Sequence, residues 1–285
     1  MKNYVIVILL ALLPAWTNAQ KNKAREIAKA ALQKMTDGKR ITSFELEITY
    51  DLPGRNPVEF TQPNGFIMLI DSLMPTFPDS IQKVLRAKTN SLKASSYQTR
   101  IDMFKGQRNI ILCDVSNEKS ASITLKPDSL QSSTDTSRSI SGVNKDMPFV
   151  KPYIQNPAYL LQLMVSDSTE LHYSGMTVVD REENHIIQVK IDGKWVDTYI
   201  GSTSLLPSRI ALQQVDEEVL VSHSPKRYKE FHVYSQYQRF GGILLPKSLE
   251  EISSRTYFTI RQRLNWVSVN APLRDDAFKT GSGSK

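Results

Sequence analysis

Alternating hydrophobic and polar positions dominate the second half of the chain and predict a series of β-strands. Between His172 and Val269, segments of this kind follow one another with short turns and no long helix. Short strands at this spacing are typical of an all-β barrel or sandwich. The predicted fold class is therefore mainly β with a few helices, built on a curved antiparallel sheet that encloses a surface.

An amphipathic helix is predicted ahead of the strands. Residues 23–35 carry apolar side chains at helical spacing, and the pattern ends near Gly38. A helix with one apolar stripe has to bury it, and the following sheet is the natural partner. Residues 42–50 then alternate between apolar and polar side chains, which predicts a strand with one buried face and one solvent face. A second helix, apolar almost all round, is predicted at residues 158–165.

Two stretches have a weaker pattern. Residues 73–93 are apolar and interrupted by proline, which fits either a flap over a cavity or an irregular connection. The serine-rich stretch near residues 127–146 has few side chains to bury and is predicted to be a flexible loop. We place this loop inside a single domain of residues 20–278, followed by a disordered tail at 279–285.

The first residues have the features of a cleavable signal peptide. Lys2 is followed by an apolar run and then by Thr17, Asn18 and Ala19, so cleavage is predicted after residue 19. The apolar run is shorter than the roughly 20 residues that a membrane-spanning helix needs. The residue after the predicted cut is Gln20, so there is no cysteine there to lipidate. The predicted localisation is periplasmic.

Composition and charge exclude some functions. A hydrophobic content of 40% is ordinary for a globular protein. The net charge of +7 is spread along the chain, which fits a solvated surface or, at most, peripheral contact with acidic lipid head groups. No basic and aromatic recognition motif accompanies it, so nucleic acid is not an expected partner.

No catalytic motif stands out. The single cysteine, Cys113, lies in an apolar, strand-like run and is predicted to be buried. No His-x-His or other metal-binding spacing occurs among the histidines, and residues 201–205 do not form a Gly-x-Ser-x-Gly elbow. We therefore predict no enzyme activity, no metal and no cofactor, although a hydrolase with two carboxylates distant in sequence stays open. The histidines are His172, His185, His223 and His232.

Several turn and strand motifs resemble those of a known family. They lie at residues 173–175, 196–200, 203–209, 237–246 and 267–273, and Phe278 closes the series. The chain resembles the LolA/LolB-like lipoprotein-carrier superfamily, most of all the exported domain that precedes metallo-β-lactamase-fold hydrolases in Bacteroidota. The resemblance implies an incomplete β-barrel whose open side is covered by helices, with the N-terminal helix on the concave side.

On such a fold, the inward side chains of the early strands are the candidates for ligand binding. They either line an apolar cavity or fill the barrel as a core, and the sequence leaves both open. In a cavity, each buried methylene of an acyl chain would contribute about 0.8 kcal/mol. The candidates are Phe44, Leu46, Ile48, Tyr50, Phe66, Met68 and Ile70.

The predicted function follows from this shape and compartment. It is a periplasmic, non-enzymatic binding protein that holds a lipid or acyl group in an apolar half-barrel. The alternative is an interaction module that docks to a separately encoded exported hydrolase or presents substrate to it. Lipid and hydrolase are accordingly the two expected partners.

Overall fold

An open antiparallel sheet forms the body of the protein. The computed structural model describes residues 2–51, 74–88, 105–117, 119–126, 135–141, 150–216, 226–253 and 259–273. Within these residues, the sheet has eleven strands. The strands are β1 (Ser43–Asp51), β2 (Arg108–Asp114), β3 (Lys119–Lys126), β4 (Asp135–Ser141), β5 (Leu171–Val179), β6 (Glu182–Ile191), β7 (Lys194–Gly201), β8 (Pro207–Asp216), β9 (Lys226–Phe240), β10 (Ile243–Ser253) and β11 (Thr259–Val269).

The strand order shows that the sheet does not close. In space the order is β4-β3-β2-β1-β11-β10-β9-β8-β7-β6-β5, so β4 and β5 are the two edges. Every neighbouring pair is antiparallel. The predicted fold class, mainly β with an incomplete antiparallel barrel, is confirmed.

Four helices accompany the sheet in the described residues. They are α1 (Lys2–Thr36), α2 (residues 79–88), α3 (Val150–Gln155) and α4 (Pro157–Met164), with a 3-10 turn at Met74–Thr76. The helix predicted at residues 23–35 is thus part of a longer α1. None of the described helices combines the length and the apolar character that crossing a membrane requires.

Helix α1 packs against the sheet through small side chains. Ala24, Ala28, Ala31 and Met35 are fully buried. Their spacing places them on one side of the helix, and alanine lets the helix backbone approach its neighbours closely. Helix α1 contacts β5, β10 and α4, and its buried residues belong to the main hydrophobic core. The predicted packing of the N-terminal helix on the sheet is therefore confirmed.

Helix α4 begins where its sequence provides a cap. The Oδ1 atom of Asn156 accepts a hydrogen bond from the backbone N–H of Tyr159 at 3.1 Å, and Pro157 occupies the first helical position. Leu160, Leu161 and Met164 are fully buried. The apolar helix predicted at residues 158–165 is thus a core element.

One strand lies in a region where a loop was predicted. Residues 135–141, within the flexible loop predicted near 127–146, form β4 and pair with β3. An edge strand needs backbone hydrogen bonds on one side only, so a segment rich in serine and threonine can form it without apolar side chains to bury. Residues 127–134 and 142–149 lie outside the described residues, as does the tail predicted at 279–285.

The turn between β7 and β8 depends on a carboxylate from β6. The Oε1 atom of Glu182 accepts hydrogen bonds from the backbone N–H groups of Ser204 (2.8 Å) and Thr203 (3.2 Å). These bonds lower the pKa of Glu182 below its usual range, because they favour the charged form. A Cβ atom at Gly201 would collide with the Glu182 carboxylate and the Ser204 hydroxyl, so a larger residue there would displace these side chains from the turn. Residues 201–205 are therefore a structural turn.

Candidate functional site

Of the candidate ligand-binding residues on β1, three lie in the hydrophobic core and one lines a cavity. Phe44, Leu46 and Ile48 are fully buried in the main core. The Phe44 ring packs edge-to-face on Tyr159 of α4, with ring centroids 6.2 Å apart, and on Trp266 of β11, at 5.9 Å. At this end of β1, the helices fill the inner face, which is the face that carries Phe44, Leu46 and Ile48.

Tyr50, at the other end of β1, is half-buried and lines a cavity of about 300 Å³. The remaining candidates, Phe66, Met68 and Ile70, lie outside the described residues. Their role in ligand binding stays a prediction.

The cavity shows how strongly the sheet curves. Its lining comes from eight strands that are consecutive in the sheet, from β3 through β1 and β11 to β7, and from α3. Laid flat, eight strands would span about 33 Å, since neighbouring strands lie about 4.8 Å apart. A cavity of about 300 Å³ can touch all of them only if the sheet wraps around it.

A hydrogen bond holds α3 over this cavity. The Tyr234 hydroxyl donates to the backbone carbonyl of Ile154. Burial raises the pKa of Tyr234 well above its usual value, so the phenol stays a proton donor. Ile154 and Gln155, the last two residues of α3, both line the cavity.

Strand register brings a Glu–His–Glu cluster to the cavity wall. His232 of β9 lies directly opposite Glu251 of β10, and Glu230 precedes His232 by two residues, on the same face of the strand. One ligand atom from each of the three residues lies within 4.8 Å of the other two. We call Glu230, His232 and Glu251 the Glu–His–Glu cluster.

Polar groups on β1, β2 and β11 surround the cluster. Tyr50 pairs with Gln262 across β1 and β11, and Gln262 pairs with Leu249 of β10. Asn109 donates from Nδ2 to the Tyr50 hydroxyl at 2.6 Å, and Gln262 Nε2 lies 3.4 Å from Glu251 Oε2. Burial, with a smaller contribution from the Glu251 charge, raises the pKa of Tyr50 to about 12. Tyr50 is therefore a neutral phenol at physiological pH.

Several buried polar atoms at the cavity have no hydrogen-bond partner. They are both ring nitrogens of His232 and the Oε1 atoms of Gln155 and Gln262. His232 Nε2 lies 2.9 Å from Glu230 Oε1, but the contact is not aligned as a hydrogen bond. Leaving such a group unsatisfied costs about 1–3 kcal/mol. Polar atoms in this position at a cavity wall can bond to water or to a ligand inside the cavity.

The rest of the cavity wall is mixed, with Ser122 and Gln213 beside several apolar side chains. Ile111, Ile154, Leu212 and Leu249 contribute aliphatic surface. Trp195 is 43% exposed and lies at the rim, next to the exposed Lys194. The cavity therefore combines aliphatic patches with polar side chains and the carboxylates of the Glu–His–Glu cluster.

A second hollow lies at the opposite end of β1, lined by Thr42, Asp114, Asn117 and Asn270 among others. Its polar groups satisfy one another. The Thr42 N–H donates to Asn270 Oδ1 at 2.8 Å, and Asn117 donates from its backbone and side chain to Asp114. These bonds hold a loop junction together, and none of the described residues that line this hollow has a buried polar atom without a hydrogen-bond partner.

The structure also describes the cysteine and two further histidines that the sequence analysis considered. Cys113 is buried, as predicted, and burial raises its pKa to about 12, so the unreactive thiol form is favoured. His185 Nδ1 lies 3.2 Å from the Tyr173 hydroxyl, and His172 is exposed. His223 lies outside the described residues.

Sequence reasoning missed the Glu–His–Glu cluster. The only local signal is Glu230-x-His232, which places two ligands on one face of a strand. Glu251 joins them through the register of β9 and β10, which no spacing along the chain reveals.

Comparisons with known proteins give a likeness of fold only. No family model matches the chain, and no curated protein matches it. A solved LolA superfamily protein from Nitrosomonas europaea is 9% identical, with 90% of this chain and 97% of that chain covered and a TM-score of 0.45. A putative outer membrane lipoprotein-sorting protein domain from Vibrio parahaemolyticus is 7% identical over 91% and 97%, with a TM-score of 0.42. A DUF1329 family protein from Desulfovibrio piger is 13% identical over 91% and 97%, with a TM-score of 0.40.

One of these structures is a member of the LolA superfamily, which the turn and strand motifs of the sequence also resemble. At such identities and TM-scores, nothing about ligand or activity follows from them. The finer resemblance, to domains that precede hydrolases in Bacteroidota, is not tested by these comparisons.

Proposed function

We propose that the protein is a non-enzymatic binding protein that holds a lipid or acyl group in the cavity beside Tyr50. The observation that carries this proposal is the cavity itself, which the curved sheet encloses and which has aliphatic side chains on its wall. Its volume of about 300 Å³ lies at the lower end of the range for ligand sites, roughly 300–1,000 Å³. Export by a signal peptide at residues 1–19, and hence a periplasmic location, belongs to the same proposal.

The volume limits the length of the ligand. A methylene group is roughly as large as a water molecule, whose share of volume is about 30 Å³. The cavity therefore accommodates about ten such groups. At about 0.8 kcal/mol for each buried methylene, a medium-length acyl chain supplies several kcal/mol before ordering costs.

The acidic end of the cavity restricts the charge of the ligand head group that can bind there. Glu230 and Glu251 would repel a free carboxylate or phosphate, whereas a hydroxyl or amide can donate to them. We therefore expect a ligand with a neutral head group when only the protein's own side chains are present.

Mass spectrometry under native conditions tests the proposal. Incubation with fatty alcohols of about eight to about sixteen carbons should give a one-to-one adduct, with the strongest signal near ten carbons. Leu212→Trp should abolish the adduct, because the larger ring fills the cavity. Leu212 is only half-buried, so its replacement strains the core little.

Leu244→Trp is the matched control. Leu244 is also half-buried and packs on the core, but it lies away from the cavity wall. It should therefore leave the adduct unchanged. Absence of any adduct in the wild-type protein, or equal loss in both variants, would overturn the proposal. The alternative, docking to an exported hydrolase, stays a prediction, because none of the described residues tests it.

A further inference from the structure

The polar end of the cavity has the composition of a metal site. The Glu–His–Glu cluster offers one imidazole nitrogen and two carboxylate oxygens, all within 4.8 Å of one another. Ligands on one tetrahedral zinc ion lie about 3.5 Å apart, since each bond is about 2.0–2.2 Å long. Small side-chain rotations, within a strand pair that is already in register, bring the three donors to that spacing.

The burial and pairing of His232 point to a ligand independently of the carboxylates. The His232 side chain is 7% exposed and lines the cavity, and neither ring nitrogen has a hydrogen-bond partner. A buried imidazole that makes no aligned hydrogen bond is costly, while an imidazole nitrogen is a preferred ligand of transition metals. A metal bond would satisfy His232 where the surrounding side chains do not.

Charge supports the same conclusion. Glu230 and Glu251 bring two carboxylates to the same partly buried wall, and carboxylate oxygens are ligands for divalent cations. A divalent cation neutralises both. The oxygen of Gln262 has no partner, and its amide group lies next to Glu251, so it is placed to supply a further oxygen ligand.

We propose that Glu230, His232 and Glu251 bind one divalent transition-metal cation, of which Zn²⁺ is the best match to a nitrogen and two oxygen ligands. Mixed imidazole and carboxylate ligands suit zinc and its neighbours better than Mg²⁺ or Ca²⁺, which prefer oxygen alone. Three protein ligands leave a coordination position open towards the cavity, as in sites where the metal contacts a small molecule. The metal site depends on these side chains and not on an acyl ligand.

The direct test is metal uptake by the purified protein. After treatment with chelator and dialysis, titration calorimetry with Zn²⁺ should show one site per chain. Glu251→Gln and His232→Gln should each weaken Zn²⁺ binding by at least about tenfold, because changes even beyond the ligands themselves cost about 10–100-fold in affinity.

Neighbouring residues provide matched controls. Glu250→Gln removes the adjacent carboxylate, which forms an ion pair with Arg261, and His172→Gln removes an exposed imidazole. Both should leave Zn²⁺ binding unchanged. Equal loss in a ligand variant and its control would assign the uptake to surface groups and overturn the proposal.

A spectroscopic measurement on the wild-type protein tests the metal site without relying on variants that have to fold correctly. Co²⁺ bound by one imidazole and two carboxylates should give visible absorption bands that Zn²⁺ displaces. The competing explanation is that the contact of His232 Nε2 with Glu230 Oε1, at 2.9 Å, is the only interaction that His232 makes in this cluster. In that case neither Co²⁺ nor Zn²⁺ is taken up stoichiometrically, and the proposal fails.

A bound cation would also change the head group that the cavity accepts, a consequence that rests on the proposed function. A metal with an open position attracts a carboxylate, so Zn²⁺ should increase binding of a fatty acid of about ten carbons relative to the matching alcohol. If the protein takes up Zn²⁺ but binds neither the fatty acid nor the alcohol, the metal site is supported and the acyl ligand is refuted.

Discussion

Glu182 shows how one side chain holds a turn of this sheet. Its carboxylate accepts backbone hydrogen bonds from Ser204 and Thr203, and these bonds lower its pKa. A carboxyl whose pKa is lower in the folded state stabilises the fold above its unfolded pKa. That stability is lost as the pH falls through the folded pKa.

We predict that Glu182→Gln reduces the acid sensitivity of the protein. Urea unfolding at about pH 7 and about pH 3 should show a smaller loss of stability in this variant than in the wild type. Glu183→Gln, which changes the exposed neighbouring carboxylate, should keep the wild-type loss. An unchanged acid sensitivity in Glu182→Gln would show that the turn does not depend on this charge.

The buried polar side chains of the cavity are residues that the fold itself does not require. Unsatisfied atoms on His232, Gln155 and Gln262 each cost free energy, while the surrounding core is apolar and well packed. Native proteins break local rules of this kind mainly at functional sites. This agrees with the proposed ligand site at the Tyr50 end of the sheet.

Among the secondary-structure elements, α1 depends most on side-chain size. Its buried face carries Ala24, Ala28 and Ala31, while Ala30 is exposed on the same helix. A close helix-to-sheet contact leaves no room for larger groups, because protein interiors are close-packed.

We predict that Ala28→Leu destabilises the protein by about 1–3 kcal/mol, the usual cost of overpacking a core. Ala30→Leu is the matched control, and its effect should stay within about 0.5 kcal/mol, as for most surface changes. Urea unfolding with both variants measures the difference. Equal effects would mean that α1 does not pack tightly on the sheet.

Across the whole molecule, the inner face of the sheet is divided between two uses. Helices α1 and α4 fill the end that carries Phe44, and the cavity occupies the end that carries Tyr50. The sequence left a filled core and a ligand cavity as alternatives, and the described structure contains a filled end and a cavity whose ligand is a proposal. The filled end stabilises the fold, so the other end can keep costly polar groups.

We predict that removal of residues 1–19 leaves a stably folded protein, whereas removal of residues 1–36 does not. The second deletion takes away Ala24, Ala28, Ala31 and Met35 and exposes the sheet residues that they cover. Circular dichroism during heating should show a cooperative transition for the first protein only. Cooperative unfolding of both would mean that α1 is dispensable for the fold.

Local sequence patterns determined the elements of this protein. Alternation predicted the strand that became β1, apolar residues at helical spacing predicted the buried face of α1, and an apolar run predicted the burial of Cys113. These predictions succeed because side-chain periodicity along a helix or strand follows from backbone geometry alone. The capping of α4 by Asn156 is also a local feature, because the capping residue directly precedes the helix in sequence.

Only the tertiary structure decided which elements meet. The first strand pairs with the last, β11, and this pairing sets Tyr50 beside Gln262. The register of β9 and β10 sets His232 opposite Glu251, and the serine-rich β4 becomes a strand because β3 offers its edge. Such contacts join residues far apart in sequence, and the cavity volume depends on how the curved sheet and the helices pack together. Local periodicity carries no information about long-range contacts or about the cavity volume. The cavity and its Glu–His–Glu cluster could therefore be identified only from the tertiary structure.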